Sequence, residues 1–204
     1  MDIRELFDLT NRVALVTGGT GIYDSPISEA LAESGAHVII ASRDETRCQS
    51  PAEQLRTRGL KASADQYDQS SESSILELRD RLVDRFGSLN ILVNNSVCRS
   101  MGSYQDSLGS WRESLDVNGA GVFSISRAIL ESMMERRRGT VINIGSIQSV
   151  VAPDFANYDG TEITTPPNYH FHKHGLIGLT KYLAGLGRTA RCSGQCDLTR
   201  RVHD

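Results

Sequence analysis

Short apolar segments alternate with longer amphipathic segments along most of the chain. Four short segments, at residues 13–17, 37–41, 89–93 and 140–144, are rich in Val, Ile and Leu, the pattern of strands that are buried on both faces of a sheet. A fifth, at residues 61–66, is more polar, but it follows a glycine that ends a helical pattern and is also predicted as a strand. The pattern therefore predicts five strands.

The segments between these strands have apolar residues at helical spacing. In residues 71–86, for example, four apolar residues share one face of a helix, and Gly87 ends the pattern. Alternating strands and helices with short links predict an α/β fold, a doubly wound parallel sheet with right-handed crossovers in a single domain. Four other helices are predicted. The first begins with Ser25 as N-cap and Pro26 as its first residue. The next two cover residues 45–58 and 111–138, and the last includes Tyr169 to Lys173.

Composition limits the functions that such a fold can carry. The 22 basic and 25 acidic residues give a net charge of −3, so no basic surface indicates nucleic acid. No apolar run reaches the length of a membrane span, and the first residues do not resemble a signal peptide. The four cysteines follow no disulfide framework, which is typical of a reducing compartment. We therefore expect a cytoplasmic protein that acts on a small molecule, with neither nucleic acid nor membrane as a partner.

The turn after the first predicted strand has the composition of a phosphate-binding loop. Gly18, Gly19 and Gly21 follow the strand, and glycines let a backbone turn sharply and approach a ligand closely. The helix that begins near Ser25 directs unpaired N–H groups and the positive end of its dipole at the same place. This order of elements favours a nucleotide phosphate at the turn. Taken alone, the stretch also fits a tight turn in another kind of α/β protein.

This stretch, TGGTGIYD, resembles the TGxxxGxG motif of the short-chain dehydrogenase/reductase family. Thr17 and Gly18 match the motif, whereas Ile22 and Asp24 stand where the family has glycines. The resemblance implies a Rossmann-type fold that binds a nicotinamide dinucleotide. It places five residues of the turn beside that cofactor: Thr17, Gly18, Gly19, Gly21 and Ile22. Asp24 is expected to weaken the binding, because a carboxylate that faces the pyrophosphate repels it.

Residues after the next strands indicate which dinucleotide is bound. Enzymes that prefer NAD usually have an acidic residue at the end of the second strand, where this chain has Ser42 followed by Arg43. A hydroxyl and a guanidinium favour the 2′-phosphate of NADP(H), although NAD remains an alternative and Arg43 also fits an ordinary surface arginine. The resemblance further implies that Asp68 meets the adenine. It matches Asn94 to the family's NNAG turn, in which Val97 replaces the glycine.

Tyr169 and Lys173 are the main candidates for chemistry. Four residues apart in a predicted helix, they share a face, and a lysine cation favours the phenolate form of a nearby tyrosine. The resemblance implies that they form the family's catalytic tetrad with Asn118 and Ser146 and that both also contact the cofactor. In that tetrad Ser146 holds a substrate carbonyl, and Asn118 holds a water in a proton relay. The implied reaction is hydride transfer between NADP(H) and a carbonyl or secondary alcohol.

Tyr158 is a competing candidate for the catalytic tyrosine. It is nearer to the usual spacing from Ser146, but Glu162 occupies the position that the lysine needs. We therefore assign the role to Tyr169. The longer loop that results, residues 154–168, resembles gluconate-5-dehydrogenase-like members of the family.

The resemblance begins near residue 6 and stops at about Gly187. Family members continue into a sixth strand and a loop with the pattern NxIxPG, whereas residues 188–204 are rich in arginine and show no strand pattern. One choice of codons for residues 194–202, read one base later, encodes VNVISPGGF, which contains that pattern. We therefore expect residues 1–187 to form an incomplete dehydrogenase domain, with a sheet that lacks its last strands, and residues 188–204 to be an out-of-frame, disordered tail.

Two groups of potential metal ligands are present in the sequence. His170, His172 and His174 alternate and could bind a metal from a strand, but a helix scatters them around its axis. Cys192 and Cys196 lie in the tail that we interpret as out of frame. We therefore expect no metal site.

The shortened domain leaves alternatives to an active enzyme. Homo-oligomers are usual in the family, but an open sheet edge makes one doubtful here. One alternative is a catalytically impaired fragment that binds a dinucleotide or a protein partner without turnover. Another is a reductase with a different acceptor, such as a carbon–carbon double bond conjugated to a carbonyl.

Overall fold

Six parallel strands form one sheet, in the spatial order β3-β2-β1-β4-β5-β6. They belong to a computed structural model that describes residues 2–18, 23–161, 164–189 and 196–199. The strands are β1 (Val13–Thr17), β2 (His37–Ser42), β3 (Ala62–Gln66), β4 (Ile91–Asn94), β5 (Thr140–Ile144) and β6 (Cys196–Thr199). The strand order reverses between β1 and β4, and this switch point places a crevice at the carboxyl ends of the two strands.

Helices connect the strands, and the predicted single α/β domain is confirmed. They are α1 (Ile3–Leu6), α2 (Asp24–Glu33), α3 (Glu45–Thr57), α4 (Glu72–Phe86), α5 (Leu108–Leu115), α6 (Val122–Glu135) and α7 (Pro167–Thr189). A π-helical segment, Asp116–Gly121, joins α5 to α6, and short 3-10 turns cover Ile147–Ser149 and Phe155–Tyr158. In the described part of the chain, no helix combines the length and the hydropathy needed to cross a membrane.

Two apolar layers hold the helices against the sheet. On one face, Leu15, Ile39 and Leu92 of the central strands are fully buried against side chains of α4, α6 and α7. On the other face, strand residues such as Val38 and Ile40 pack against α2 and α3. Each fully buried side chain of this size contributes about 1.5–3 kcal/mol, so the central strands are a stable platform for the crevice.

All five predicted strands are present, and residues 196–199 form a sixth, short strand. This strand, β6, pairs in parallel with β5 from Val141 to Ile144, and the out-of-frame origin of residues 188–204 stays a prediction. Such pairing needs no side-chain pattern, because β5 presents an edge of backbone N–H and C=O groups. Residues 190–195 and 200–204 of the expected tail lie outside the described residues.

The start of α2 also differs from the prediction. Ser25 was expected to be the N-cap, but α2 begins at Asp24, and its N-cap residue, Tyr23, makes no capping bond with its side chain. Pro26 therefore lies within the first turn, where backbone N–H groups have no helical acceptor and a proline is tolerated. The structure does not describe the Asp24 side chain, so the expected repulsion between its carboxylate and a pyrophosphate stays a prediction.

The long helix predicted at residues 111–138 is interrupted by the π-helical segment. Gly121, the last residue of this segment, lies against the loop after β3, so a Cβ on it would be 2.1 Å from the backbone oxygen of Gln69. The Gln69 amide in turn donates a hydrogen bond of 2.9 Å to the backbone oxygen of Val117. The glycine thus permits a close contact that fixes the segment containing Asn118.

Gly121→Ala is expected to destabilise the fold, because the added methyl group overlaps the Gln69 carbonyl. The free energy of unfolding, measured by urea denaturation, should fall by about 1–3 kcal/mol, the range for overpacked sites. Gly119→Ala is the matched control, since nothing lies within 4 Å of a Cβ there. This control should be neutral or gain up to about 1 kcal/mol from helix propensity. Equal losses in the two variants would contradict the assigned contact.

Candidate active site

Parallel pairing brings the predicted site residues to one edge of the sheet. Thr17, Ser42 and Asn94 end β1, β2 and β4, and Ser146 lies two residues beyond β5. Asp68 likewise lies two residues beyond the end of β3. Since all these strands run in the same direction, their carboxyl ends form a single edge.

Thr17 holds the loop that follows β4. Its side chain is fully buried, and its Oγ1 donates a hydrogen bond of 3.3 Å to the backbone oxygen of Val93. The same oxygen accepts bonds from the backbone N–H groups of Asn95, at 3.1 Å, and Ser96, at 3.2 Å. A side chain so buried supports this loop and does not line the crevice.

Gly18, the first residue of the glycine turn, has a backbone conformation that favours glycine. Its φ is 134°, and its N–H donates a bond of 2.9 Å to the backbone oxygen of Ala41 at the end of β2. The remaining predicted residues of the turn, Gly19, Gly21 and Ile22, lie outside the described residues.

A polar cavity of about 540 Å³ lies at the ends of β2 and β3, and Arg43 and Asp68 both line it. Asp68 accepts bonds from the Ser70 backbone N–H, at 2.9 Å, and the Ser70 hydroxyl, at 2.7 Å. The hydroxyl bond and, less strongly, the charge of Arg43 hold the pKa of Asp68 below its usual 3.8. The predicted adenosine side of the cofactor site is therefore a cavity with a fixed carboxylate and an exposed guanidinium.

Ser42, by contrast, is directed into α3. Its Oγ donates a bond of 3.0 Å to the backbone oxygen of Asp44 and lies 3.1 Å from the Cys48 sulfur. The structure thus places Arg43, and not the Ser42 hydroxyl, at the polar cavity.

Asn94 is the centre of a buried hydrogen-bond network. Its Nδ2 donates to the Ser126 hydroxyl and to Asn143 Oδ1, both at 2.8 Å. Asn143 Nδ2 donates to the Thr180 hydroxyl, also at 2.8 Å. These bonds join β4, β5, α6 and α7, so the network sets the position of α7, which carries the predicted catalytic pair.

Tyr169 lies where two cavities meet. A cavity of about 390 Å³, between α2 and the ends of β4 and β5, is lined by Tyr169, Lys173 and Gly145. A second, of about 730 Å³, is lined by Tyr169 and Ser146. Lys173 Nζ lies 5.7 Å from the centre of the Tyr169 ring and donates a hydrogen bond to the backbone oxygen of Ile144. The structure therefore brings the predicted serine, tyrosine and lysine together.

Asn118 completes the predicted group from the π-helical segment. Its Oδ1 accepts a bond of 2.7 Å from the Cys98 N–H, and its Nδ2 donates to the Cys98 oxygen at 2.8 Å. The side chain thus clamps the loop after β4. A cavity of about 20 Å³, large enough for one water, is lined by Asn118, Asn94, Tyr169 and Lys173.

A buried serine, Ser114 of α5, organises the first turns of α7. Its Oγ lies 2.7 Å from His172 Nε2, 2.8 Å from Asn168 Nδ2 and 3.1 Å from Asn118 Nδ2. The two amide groups donate to this oxygen, so its only hydrogen is donated to His172. Burial first, and then the charge of Lys173, keep the pKa of His172 below 6.5, which leaves a neutral ring able to accept it.

Sequence reasoning did not single out two residues near the site, Ser114 and Arg99. No motif marks Ser114, because its bond to His172 spans 58 positions. Arg99 lines the 390 Å³ and the 730 Å³ cavities, and its only signal was its place in a loop at a strand end. Tyr158 lines the 730 Å³ cavity, and its hydroxyl accepts a bond of 3.3 Å from Gln148. Glu162 lies outside the described residues.

The three histidines lie in α7, and the helix separates them as predicted. His170 bonds to the Thr165 hydroxyl at 2.9 Å, His172 is buried against Ser114, and His174 is exposed. Within the ranges that the structure describes, no three His, Cys, Asp or Glu side chains form a group suited to a metal ion.

The chain is similar to known oxidoreductases in both sequence and structure. An uncharacterized oxidoreductase of Thermotoga maritima is 33% identical over 177 residues, which cover 86% of this chain but only 65% of the relative's length. A 3-oxoacyl-(acyl-carrier-protein) reductase of Aquifex aeolicus is 33% identical over 178 residues, covering 86% of this chain and 68% of the relative. The solved structure of a gluconate 5-dehydrogenase from Burkholderia cenocepacia, in complex with NADP and tartrate, is 29% identical. It aligns with a TM-score of 0.82 over 98% of this chain and 74% of that one.

The family model described as short chain dehydrogenase matches residues 12–188, from the start of β1 to the end of α7. This range contains the glycine turn, the strand ends and the tyrosine–lysine pair. The chain therefore belongs to the short chain dehydrogenase family.

Proposed function

We propose that the chain is an oxidoreductase that transfers a hydride between NADP(H) and a carbonyl or secondary alcohol. The observation that carries this proposal is the position of Tyr169 between two cavities, one shared with Lys173 and the other with Ser146. A dinucleotide in the first cavity and a carbonyl compound in the second would both lie within reach of the phenol.

The chain's own residues suit the proton side of this reaction. A bound nicotinamide supplies the hydride for reduction. The Ser146 hydroxyl donates a hydrogen bond to the carbonyl oxygen and orients the carbonyl group. Tyr169 gives its phenolic proton to that oxygen as the carbonyl carbon receives the hydride, and the Lys173 cation stabilises the phenolate that remains. Oxidation of an alcohol follows the same steps in reverse.

A proton must then return to Tyr169. The 20 Å³ cavity touches Tyr169, Lys173 and Asn118, and it has the size of one water molecule. We assign Asn118 to this relay because its side chain, fixed to both backbone groups of Cys98, forms a rigid wall of the cavity. This assignment supplies a path for the proton that each turnover consumes.

The preference for NADP(H) rests on Arg43. Its exposed guanidinium lines the 540 Å³ cavity at the end of β2, where the ribose 2′ position of a dinucleotide is expected. A guanidinium binds phosphate through charge-assisted hydrogen bonds. The Burkholderia enzyme, whose structure contains NADP, supports the same choice.

The substrate side includes a second cation, Arg99, which lines the 390 Å³ and the 730 Å³ cavities. A cation at this place favours a substrate with a negatively charged group, and the tartrate bound to the Burkholderia enzyme is such a compound. We further infer a cytoplasmic location, because the four cysteines of the sequence follow no disulfide framework, as expected in a reducing compartment.

Tyr169→Phe is expected to abolish turnover of carbonyl compounds with NADPH while leaving nucleotide binding nearly intact, because it removes only the proton donor. Steady-state kinetics and a cofactor-fluorescence titration measure the two effects. Tyr158→Phe is the matched control, since it removes the hydroxyl of another tyrosine in the same cavity. Loss of activity in this control alone would transfer the catalytic role to Tyr158. If the wild-type protein binds NADPH but reduces no carbonyl compound, the alternative of a catalytically impaired fragment that binds a dinucleotide would be supported.

Arg43→Ala is expected to weaken the binding of NADPH more than that of NADH, by about 1–3 kcal/mol, the value of a charge-assisted hydrogen bond. Fluorescence titration with each nucleotide measures the difference. Arg138→Ala makes the same charge change in the turn before β5, at the opposite edge of the sheet, and should leave both affinities unchanged. Equal losses for the two nucleotides in Arg43→Ala would show that this side chain does not contact the 2′-phosphate.

A further inference from the structure

Arg99, in the loop after β4, carries the only charged group that the described residues bring to the 730 Å³ cavity. None of the other described residues that line this cavity is Asp, Glu, Lys, Arg or His, and several, such as Ser146 and Gln148, are polar. Arg99 is exposed, and its guanidinium makes no ion pair and no hydrogen bond with any residue that the structure describes. Its N–H donors are therefore available to a ligand in the cavity.

The backbone at Arg99 is fixed on both sides. Asn118 clamps Cys98, the residue before it, through the Cys98 N–H, at 2.7 Å, and the Cys98 carbonyl oxygen, at 2.8 Å. Ser100, the residue after it, donates a hydrogen bond of 2.7 Å from its hydroxyl to the backbone oxygen of Ser110 in α5. A side chain on a fixed backbone loses less conformational freedom when it binds a ligand, so the guanidinium is suited to recognise one particular group.

Arg99 also lies near the point of reaction. Among the described residues, only Arg99 and Tyr169 line both the 390 Å³ and the 730 Å³ cavity. A carbonyl group that meets Tyr169 where the two cavities adjoin therefore has the guanidinium close to it. The 390 Å³ cavity already has a cation in Lys173, whereas no other described residue brings a cation to the 730 Å³ cavity. These positions favour the substrate, and not the dinucleotide, as the partner of Arg99.

We propose that Arg99 is a specificity-determining residue that binds the carboxylate of a short oxo acid, with at most one carbon between this carboxylate and the carbonyl carbon. A guanidinium presents its N–H groups in a fork that matches a carboxylate. The oxo acid takes a hydride from NADPH at the carbonyl carbon and the Tyr169 proton at the carbonyl oxygen, and it leaves as a hydroxy acid with its carboxylate unchanged. The substrate class is then the 2-oxo and 3-oxo acids. The proposal rests on the proposed function, because it uses the same position of the carbonyl group.

The experiment compares two acids with their neutral amides, pyruvate with pyruvamide and acetoacetate with acetoacetamide. The members of each pair have the same number of heavy atoms and differ in the negative charge. Arg99→Gln should lower the acid-to-amide ratio of kcat/KM with NADPH by about tenfold in at least one pair. This value is the lower end of the range for a hydrogen bond to a charged group, because solvent screens the exposed Arg99.

Arg112→Gln is the matched control. It removes the same charge from an exposed side chain of α5 that lines neither the 390 Å³ nor the 730 Å³ cavity, so both ratios should stay at their wild-type values. An equal change in the two arginine variants would show a general effect of protein charge and would overturn the proposal.

Two further results would overturn it. If Arg99→Gln lowers kcat/KM for acids and amides by the same factor, the side chain does not contact the carboxylate, and a weaker affinity for NADPH in this variant would place it against the dinucleotide. If the ratio changes only for levulinate and levulinamide, in which two carbons separate the carboxyl group from the carbonyl carbon, the carboxylate does not lie beside the carbonyl.

A binding measurement separates this proposal from the proposed function. In isothermal titrations with NADP⁺ present, which cannot reduce an oxo acid, pyruvate or acetoacetate should bind the wild-type protein more tightly than its amide does, and Arg99→Gln should remove the difference. If neither acids nor amides are reduced but this difference is present, the proposed function fails and the Arg99 site stands. If both are reduced and Arg99→Gln leaves their ratios unchanged, the function stands and the Arg99 site is refuted. Without turnover and without the binding difference, both fail.

Discussion

A buried chain of hydrogen bonds from Asn94 through Asn143 to Thr180 controls the geometry of the whole site. It crosses from β4 to β5 and then to α7, and each of its three side chains is at most 5% exposed. Removing one partner from such a network leaves another buried polar group unsatisfied, which costs about 1–3 kcal/mol. Apolar packing alone would allow α7 to slide or rotate over the sheet, whereas these directional bonds accept only one position. The placement of Tyr169 and Lys173 therefore depends on residues that line neither the 390 Å³ nor the 730 Å³ cavity.

The parts of the molecule that could be predicted are those set by local pattern. The five strands and their alternation with helices follow from the apolar segments of the sequence. Because parallel strands end at one edge of the sheet, Arg43, Asp68 and Ser146 could be placed at that edge from the sequence. The pairing of Tyr169 with Lys173 needs only helical periodicity and the correct tyrosine. Boundaries were less predictable: α2 begins before Ser25, because its first turn uses no side-chain cap.

The parts that could not be predicted depend on contacts between distant residues. Ser114 lies on the apolar stripe of a predicted helix, and only the packing of α5 against α7 shows that three polar side chains converge on it. Thr17 and Ser42 match cofactor positions in the sequence, but their hydroxyls bond to backbone groups of neighbouring elements. The short strand at residues 196–199 has no apolar pattern in the sequence, because an open sheet edge selects its partner through the backbone.

The helical period explains how α7 carries both buried polar contacts and the predicted reactive pair. Asn168 and His172 are four residues apart and share one face, which meets Ser114, while Tyr169 and Lys173 share the next face, which meets the cavities. One residue of rotation along the helix separates the two faces. A shift of α7 that broke the Ser114 contacts would therefore also move the phenol and the ammonium from the cavities. Stability and catalytic geometry are coupled in this helix, because the same rigid backbone carries the buried polar contacts and the reactive pair.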